Sequence, residues 1–238
     1  MSRKKKNKNK KKSKIVLLFL LLDIILIISF LVFRDATSLN NYRKEMEELK
    51  KLDVSVDNYD RKIKSSGKYA VVEKAIKGYL NDYSTELDSV LSILNDPKLM
   101  KVLSYDNYTK DGPEFKESIK YLNDTKTSYN EKIDKLIKTM SLDNIKDYAY
   151  EVTDSPYYIS LYNEFMLDPV MLDKFNQNKE ILNNSKIKVN NIIDTSMNVL
   201  NFLITYKDSW VIENGGIKFQ TEELYNYYNE LISKVRLV

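Results

Sequence analysis

Between Lys14 and Arg34 the chain reads IVLLFLLLDIILIISFLVF. Of these 19 residues, Ile15 to Phe33, only Asp23 and Ser29 are not strongly apolar. A helix rising about 1.5 Å per residue makes this run roughly 28 Å long, the hydrocarbon thickness of one bilayer. A central aspartate costs about 2.5–3.5 kcal/mol on the insertion scale, and each central apolar residue returns about 0.3–0.6 kcal/mol. With 17 apolar residues against one acid, insertion wins. The apolar core of a cleavable signal peptide is shorter, about 7–15 residues, and ends in small residues. This run ends in LVFRD, and Ala36 and Ser38 offer a poor cleavage site. With no cysteine in the chain, there is no thiol for a lipoprotein acyl group.

Nine positive charges precede the run: Arg3, Lys4, Lys5, Lys6, Lys8, Lys10, Lys11, Lys12 and Lys14. Basic residues beside a first membrane helix hold their end in the cytoplasm. The expected localisation is therefore a single-pass cell-membrane protein, N-terminus cytoplasmic and C-terminus extracytoplasmic. Residues 1–14 read as a disordered tail whose cations can also contact anionic lipid headgroups. Those nine, Arg34 and Asp23 are the only charged residues before position 35. The other 28 basic and 33 acidic residues give 35–238 a net charge of −5, although the whole chain is +4. The basic balance belongs to the tail, which argues against nucleic acid as a partner of the exported part.

Composition removes much chemistry. With neither cysteine nor histidine, no Ser-His-Asp triad, cysteine nucleophile or His/Cys zinc site can be built. The five glycines form no phosphate-binding loop, and no cofactor pattern is present. Without disulfides, the exported domain must be held by its core.

Apolar spacing beyond the run is helical. Val72, Ile76, Tyr79, Leu80, Tyr83, Leu87, Val90, Leu91 and Leu94 follow steps of three and four. Ile119, Leu122, Lys126, Tyr129, Ile133, Leu136 and Met140 make a heptad seam with one lysine in it, a coiled-coil-like pattern. Phe175, Leu182, Val189, Ile193, Leu200 and Leu203 mark a long helix from Asp168, with a kink expected near Asn183-Asn184. Each proline follows a cap-type residue, in Asp96-Pro97, Gly112-Pro113, Ser155-Pro156 and Asp168-Pro169, and is read as a helix start. Residues 209–220, SWVIENGGIKFQ, break the period. Asn214-Gly215 is a hairpin turn that sets Ile212 opposite Ile217 and Trp210 opposite Phe219 on one face. That face should pack on helices, and Thr221 should cap a final helix carrying Leu224, Tyr228, Leu231 and Val235.

The expected fold is mainly all-α. A tail (1–14) and a transmembrane helix (15–33) lead to a half-exposed helical stalk (34–66) and an elongated extracytoplasmic bundle (67–238) with hairpin 209–220. Tyr42, Met46, Leu49, Val56 and Ile63 form the stalk's apolar stripe, interrupted by Asp53 and Asp60.

Asp23 is the sharpest candidate for function, because intramembrane carboxylates are rare and tend to be functional. Lys14 and Arg34 are too distant along the helix to reach it, so it is protonated or meets a second membrane helix. Tyr148, Tyr157, Tyr158 and Tyr162 suggest a tyrosine-lined groove for a ligand or envelope polymer, but in a chain with 18 tyrosines a buried stripe is the plainer reading. The loop Asn107–Ser118 fails as a calcium loop, since its first position is not an acid and its twelfth is not glutamate. Lys126 should snorkel or meet an acid across the bundle. The functional expectation is a membrane-anchored protein-interaction or scaffold module whose partners are the lipid bilayer and another membrane or envelope protein, or a second copy. The alternatives are a ligand- or polymer-binding module and, remotely, a hydrolase using carboxylates alone.

Overall fold

The structure, a computed structural model, describes residues 28–29, 31–51 and 60–236. Asp23 and the nine basic residues from Arg3 to Lys14 lie outside them, as does most of the apolar run. Among the described residues no helix is long and apolar enough to cross a membrane.

The described chain is mostly helical, with one two-stranded hairpin near its C-terminus. Helix α1 covers residues 31–51. It is followed by α2 (Gly67–Leu94), α3 (Pro97–Lys101), α4 (Tyr105–Asp111), α5 (Lys116–Thr139), α6 (Leu142–Tyr150), α7 (Pro156–Met166) and α8 (Pro169–Thr205). The strands β1 (Trp210–Glu213) and β2 (Gly216–Phe219) precede α9 (Glu222–Arg236). Local chemistry fixes several starts. The Asp96, Ser104, Ser141 and Asp168 side chains each accept a backbone N–H of their helix's first turn. Pro97, Pro156 and Pro169 occupy first-turn positions, as expected.

Three long helices carry the core. Helix α5 lies between α2 and α8 and is antiparallel to both. Against α2, Tyr121 donates to Asp96 (2.7 Å) and Lys132 to the Ser89 carbonyl (3.2 Å). Against α8, Lys126 meets Asp194, Asn190 donates to Asn130 (2.9 Å), and Lys186 pairs with Asp134. These three pairs step by four residues along each helix, so they form a polar ladder down one edge of the seam. Leu122, Tyr129, Ile133 and Leu136 of α5 are fully buried; each such aliphatic side chain contributes about 1.5–3 kcal/mol by leaving water. Helix α8 runs unbroken through Asn183 and Asn184.

Buried tyrosines find acceptors, which is how so tyrosine-rich a core is tolerated. Tyr79 donates to the Thr139 carbonyl, Tyr162 to the Ile145 carbonyl, and Tyr108 shares a hydrogen bond with Tyr228.

The hairpin pairs Trp210 with Phe219 and Ile212 with Ile217, in the expected register. Asn214 (φ 54°) and Gly215 (φ 74°) take the two positive φ values of a type I′ turn. The shared face packs inward. Trp210 stacks on Phe115 and donates its indole N–H to the Leu203 carbonyl (2.8 Å), while Phe219 meets Phe202 and Tyr228. The Thr221 hydroxyl accepts the Leu224 N–H, starting α9.

Two expectations are corrected. Gly112-Pro113 does not start a helix; it is a cis bond in the turn between α4 and α5. Asp111 caps α5 instead, its two carboxylate oxygens accepting the Glu117 and Ser118 N–H groups. Phe115 takes the left-handed conformation (φ 47°), which buries its ring between Tyr108 and Trp210. Gly112 is required by space, since a Cβ there would sit 2.4 Å from the Tyr108 carbonyl oxygen and 3.1 Å from the Trp210 ring.

The second correction concerns the stalk. Tyr42, Met46 and Leu49 of α1 are buried with the main core rather than half-exposed. Tyr42 donates to the Leu161 carbonyl of α7, and Lys50 pairs with Asp168 at the start of α8. The physical reason is that Glu45, a charge on the packed stripe, is neutralised by lysines distant in sequence.

Candidate functional site

The tyrosines singled out for a groove do not converge on one. Tyr162 is buried and bonded to the Ile145 carbonyl. Tyr148 lies edge-to-face on Tyr79 and donates to Asp82 (2.7 Å). Tyr157 and Tyr158 pack edge-to-face on each other at the start of α7. The hairpin packs elsewhere, on α4, α8 and α9, and Trp210, Ile212, Ile217 and Phe219 serve that packing. Asn214 and Gly215 only make its turn.

A polar knot joins α1, α2 and residues 60–66. The ammonium of Lys77 meets Glu45 Oε1 (2.6 Å), Glu73 Oε1 (2.9 Å) and the Lys62 carbonyl (2.7 Å). Those three acceptors match its three protons. Glu73 also accepts the N–H groups of Lys64 and Ser65 and the Ser65 hydroxyl. Burial alone would raise its pKa, but these bonds together with Lys77 outweigh burial and hold it below the usual carboxylate range. Lys64 closes the knot on Glu45 (2.7 Å) and Glu48 (3.2 Å), and its pKa is raised by those two partners. Glu45, Glu73 and Lys77 are only 3%, 0% and 4% exposed. Two acids do converge here, but each is matched by lysine in a packed junction. The arrangement binds segments of the chain to one another. Among the described residues no cluster of three or more acids could hold a metal ion.

The far end is built differently. A cavity of about 500 Å³ lies between the end of α2 (Leu94), α3 and the residues after it (Leu99, Met100, Leu103), α8 (Val189, Ile192) and α9 (Ile232, Val235). Its only polar lining residues are Ser104 and Ser196. A second, more polar cleft of about 600 Å³ shares Leu103, Ser104 and Ile232 and adds Tyr105, Tyr228, Asn229 and Ser233. Met100, on its five-residue helix, is 78% exposed. The short helices α3 and α4 leave this aliphatic surface uncovered because neither is long enough to lay an apolar face across α8 and α9. The cavity between α3, α8 and α9 is lined almost wholly by carbon, so it can hold an apolar surface. From Tyr69, where α1 docks, to Leu94 at the groove is about 38 Å along α2 at the helical rise.

The groove was not foreseen from sequence. The signal was present in Leu94, Leu99, Met100, Val102 and Leu103, more apolar side chains than a five-residue helix after Pro97 can bury. Comparison with known proteins finds no match: no protein-family model, no curated protein and no solved structure matches this chain.

Proposed function

We propose that this chain is a single-pass, membrane-anchored extracytoplasmic module that binds another envelope protein through the groove between α3, α8 and α9. The observation that carries the reading is the position of that groove. It is aliphatic, open, and about 38 Å along α2 from the end at which the apolar run enters the fold. The run Ile15–Phe33 and its nine flanking basic residues supply the anchor and its orientation. Helix α1 begins within the last residues of that run and is held to the body by Tyr42, the Glu45–Lys77–Glu73 knot and Lys50. The groove is then presented on a fixed support, and an amphipathic helix laying its apolar side against Met100, Leu103 and Ile232 fits its lining. Asp23 has the role of meeting a second membrane helix, from a partner or another copy. A polymer-binding role is less well supported, because Tyr148 and Tyr162 are committed to internal hydrogen bonds.

The test is photo-crosslinking in native membranes. A crosslinking side chain at Met100 should give a discrete adduct that Ile192→Glu abolishes, while the same group at exposed Asp147 gives none. Equal adducts at both positions, or an adduct indifferent to Ile192→Glu, contradicts the groove as the binding surface. Asp23→Leu should weaken the adduct if the membrane helix contributes to the same contact, and an unchanged yield removes that role.

A further inference from the structure

Helices α1, α2 and α7 leave a common end and run parallel. Contacts of α1 advance together along both neighbours. Ser38 meets Ser66, Tyr42 meets Tyr69, and Glu45 meets Lys77. On the other side, Tyr42 meets Leu161 and Lys50 meets Asp168. The common end is therefore where the apolar run hands over to α1. There the Tyr157 and Tyr69 hydroxyls are 3.4 Å apart, and the Tyr69 hydroxyl is 3.4 Å from the Asp35 carboxylate. Asp35 follows Phe33, the last residue of the run, by two positions, or about 3 Å of helical rise.

Aromatic side chains gather at this level. Tyr158 packs edge-to-face on Tyr157 (5.1 Å) and Tyr69 (5.6 Å), with the Lys68 ammonium 5.7 Å from its ring centre. Tyr157 is 51% exposed. The turn leading into α7 adds exposed Val152 and, before it, Tyr150, which is 61% exposed. Tyr150 and Tyr157 face outward at this end, whereas Tyr42, Tyr69 and Tyr162, a little further along the same helices, are buried. The headgroup layer is roughly 5–7 Å thick on each side of the hydrocarbon. Asp35, about 3 Å beyond the end of the run, falls inside that layer, and the Tyr157 hydroxyl reaches its level through Tyr69; tyrosine is favoured there because its ring is apolar and its hydroxyl is wet. Charge adds little attraction: Arg34 and Lys68 stand with Asp35, Glu151 and Asp154, so anionic lipid gains nothing over neutral lipid.

We propose that the end carrying Tyr150, Tyr157 and Tyr158 rests in the headgroup layer of the bilayer that holds the anchor. The domain then stands on the membrane as a post and does not swing from a tether. This rests on the membrane-anchored reading. It adds a lipid contact made by the folded domain, and it fixes the groove at a set height.

The chain has no cysteine, so single cysteines carrying a nitroxide can be placed without background. The full chain is reconstituted in phosphatidylcholine vesicles, and in vesicles with added phosphatidylglycerol, with labels at Ile24, Tyr150, Asp154, Tyr157 or Met100. Asp154→Cys leaves every ring in place. Accessibility is read from collisions with oxygen and with a water-soluble nickel chelate. The inference expects labels at 150, 154 and 157 to collide with nickel several-fold less than the label at Met100, equally in both lipids and at high salt. A lipid-buried label at Ile24 with positions 150, 154 and 157 as nickel-accessible as Met100 overturns the post while leaving the anchor. A water-exposed label at Ile24 overturns the anchor, and the post with it. Shielding of Met100 equal to that at 154 means the domain lies flat, which also overturns the proposal.

Discussion

The two ends of α2 are finished in opposite ways. At its start the buried charges are paired, as Lys77 holds two glutamates and a carbonyl, and Ser38 and Ser66 bond reciprocally. At its other end Leu94 borders a groove of aliphatic side chains with only two serines among them. Buried ions are unforgiving of geometry, because removing one partner strands the other in a low dielectric. Such a junction tolerates one arrangement. An aliphatic groove has no directional demand and accepts any complementary apolar surface. The polar end is thus suited to holding a fixed geometry, the apolar end to receiving something else.

The largest test removes the lysine of the polar end. Lys77→Met leaves Glu45 and Glu73 buried without their shared cation and should cost about 3–5 kcal/mol, read by chemical denaturation. A loss below about 1 kcal/mol, the worth of a surface pair, would mean that the junction is wet and that the contrast between the ends is false.

Next comes Gly112→Ala, which probes the aromatic packing at the apolar end, where Tyr108 meets Tyr228 of the cleft. The added Cβ must displace the Tyr108 carbonyl or the Trp210 ring, an overpacking cost of about 1–3 kcal/mol. Trp210 is the only tryptophan, so its fluorescence should shift to the red as the hairpin lifts. An unshifted spectrum at full stability would contradict the packing described.

Acid should loosen the polar end before the apolar one. The Glu73 carboxyl is held below its ordinary value of 4.5. Its contribution to stability is therefore present above that value and lost as pH falls through the lower folded-state value. Hydrogen exchange on lowering the pH below about 4.5 should show residues 60–66 and α1 opening ahead of α5 and α8. Simultaneous opening of all segments would contradict a local junction.

The smallest effect on folding belongs to the groove. Met100→Glu, at an exposed position, should change stability by no more than about 0.5 kcal/mol while abolishing the adduct formed when the crosslinking side chain is placed at Leu103 instead. Unchanged crosslinking would move the binding surface elsewhere.

What was legible in the sequence was local or periodic. The hairpin could be read because Asn214-Gly215 and its four inward residues lie within twelve positions, and turn and register determine each other. The seam of α5 could be read because Leu122, Tyr129, Ile133 and Leu136 repeat with the helix. What could not be read depended on partners far along the chain. Lys126 meets an acid across the bundle as expected, but nothing in the sequence singles out Asp194, 68 residues away, and Glu45 needed Lys77 before α1 could be seen as packed. Gly112-Pro113 resembled the other three pairs, yet the cap came from Asp111 and the turn from the left-handed Phe115. Tyrosine density suggested a groove because composition does not reveal that Tyr148 and Tyr162 are bonded internally. The groove that exists is assembled from four segments, and no window of sequence contains them.

The central claim is a partition: anchor in lipid, basic tail inside, folded domain and groove outside. A membrane-impermeant maleimide applied to right-side-out vesicles tests it directly, using Met100→Cys and Ser13→Cys in the cysteine-free chain. The account predicts that Cys at position 100 reacts in intact vesicles and Cys at position 13 only after permeabilisation. The reverse pattern, or reaction of both from outside, would contradict it.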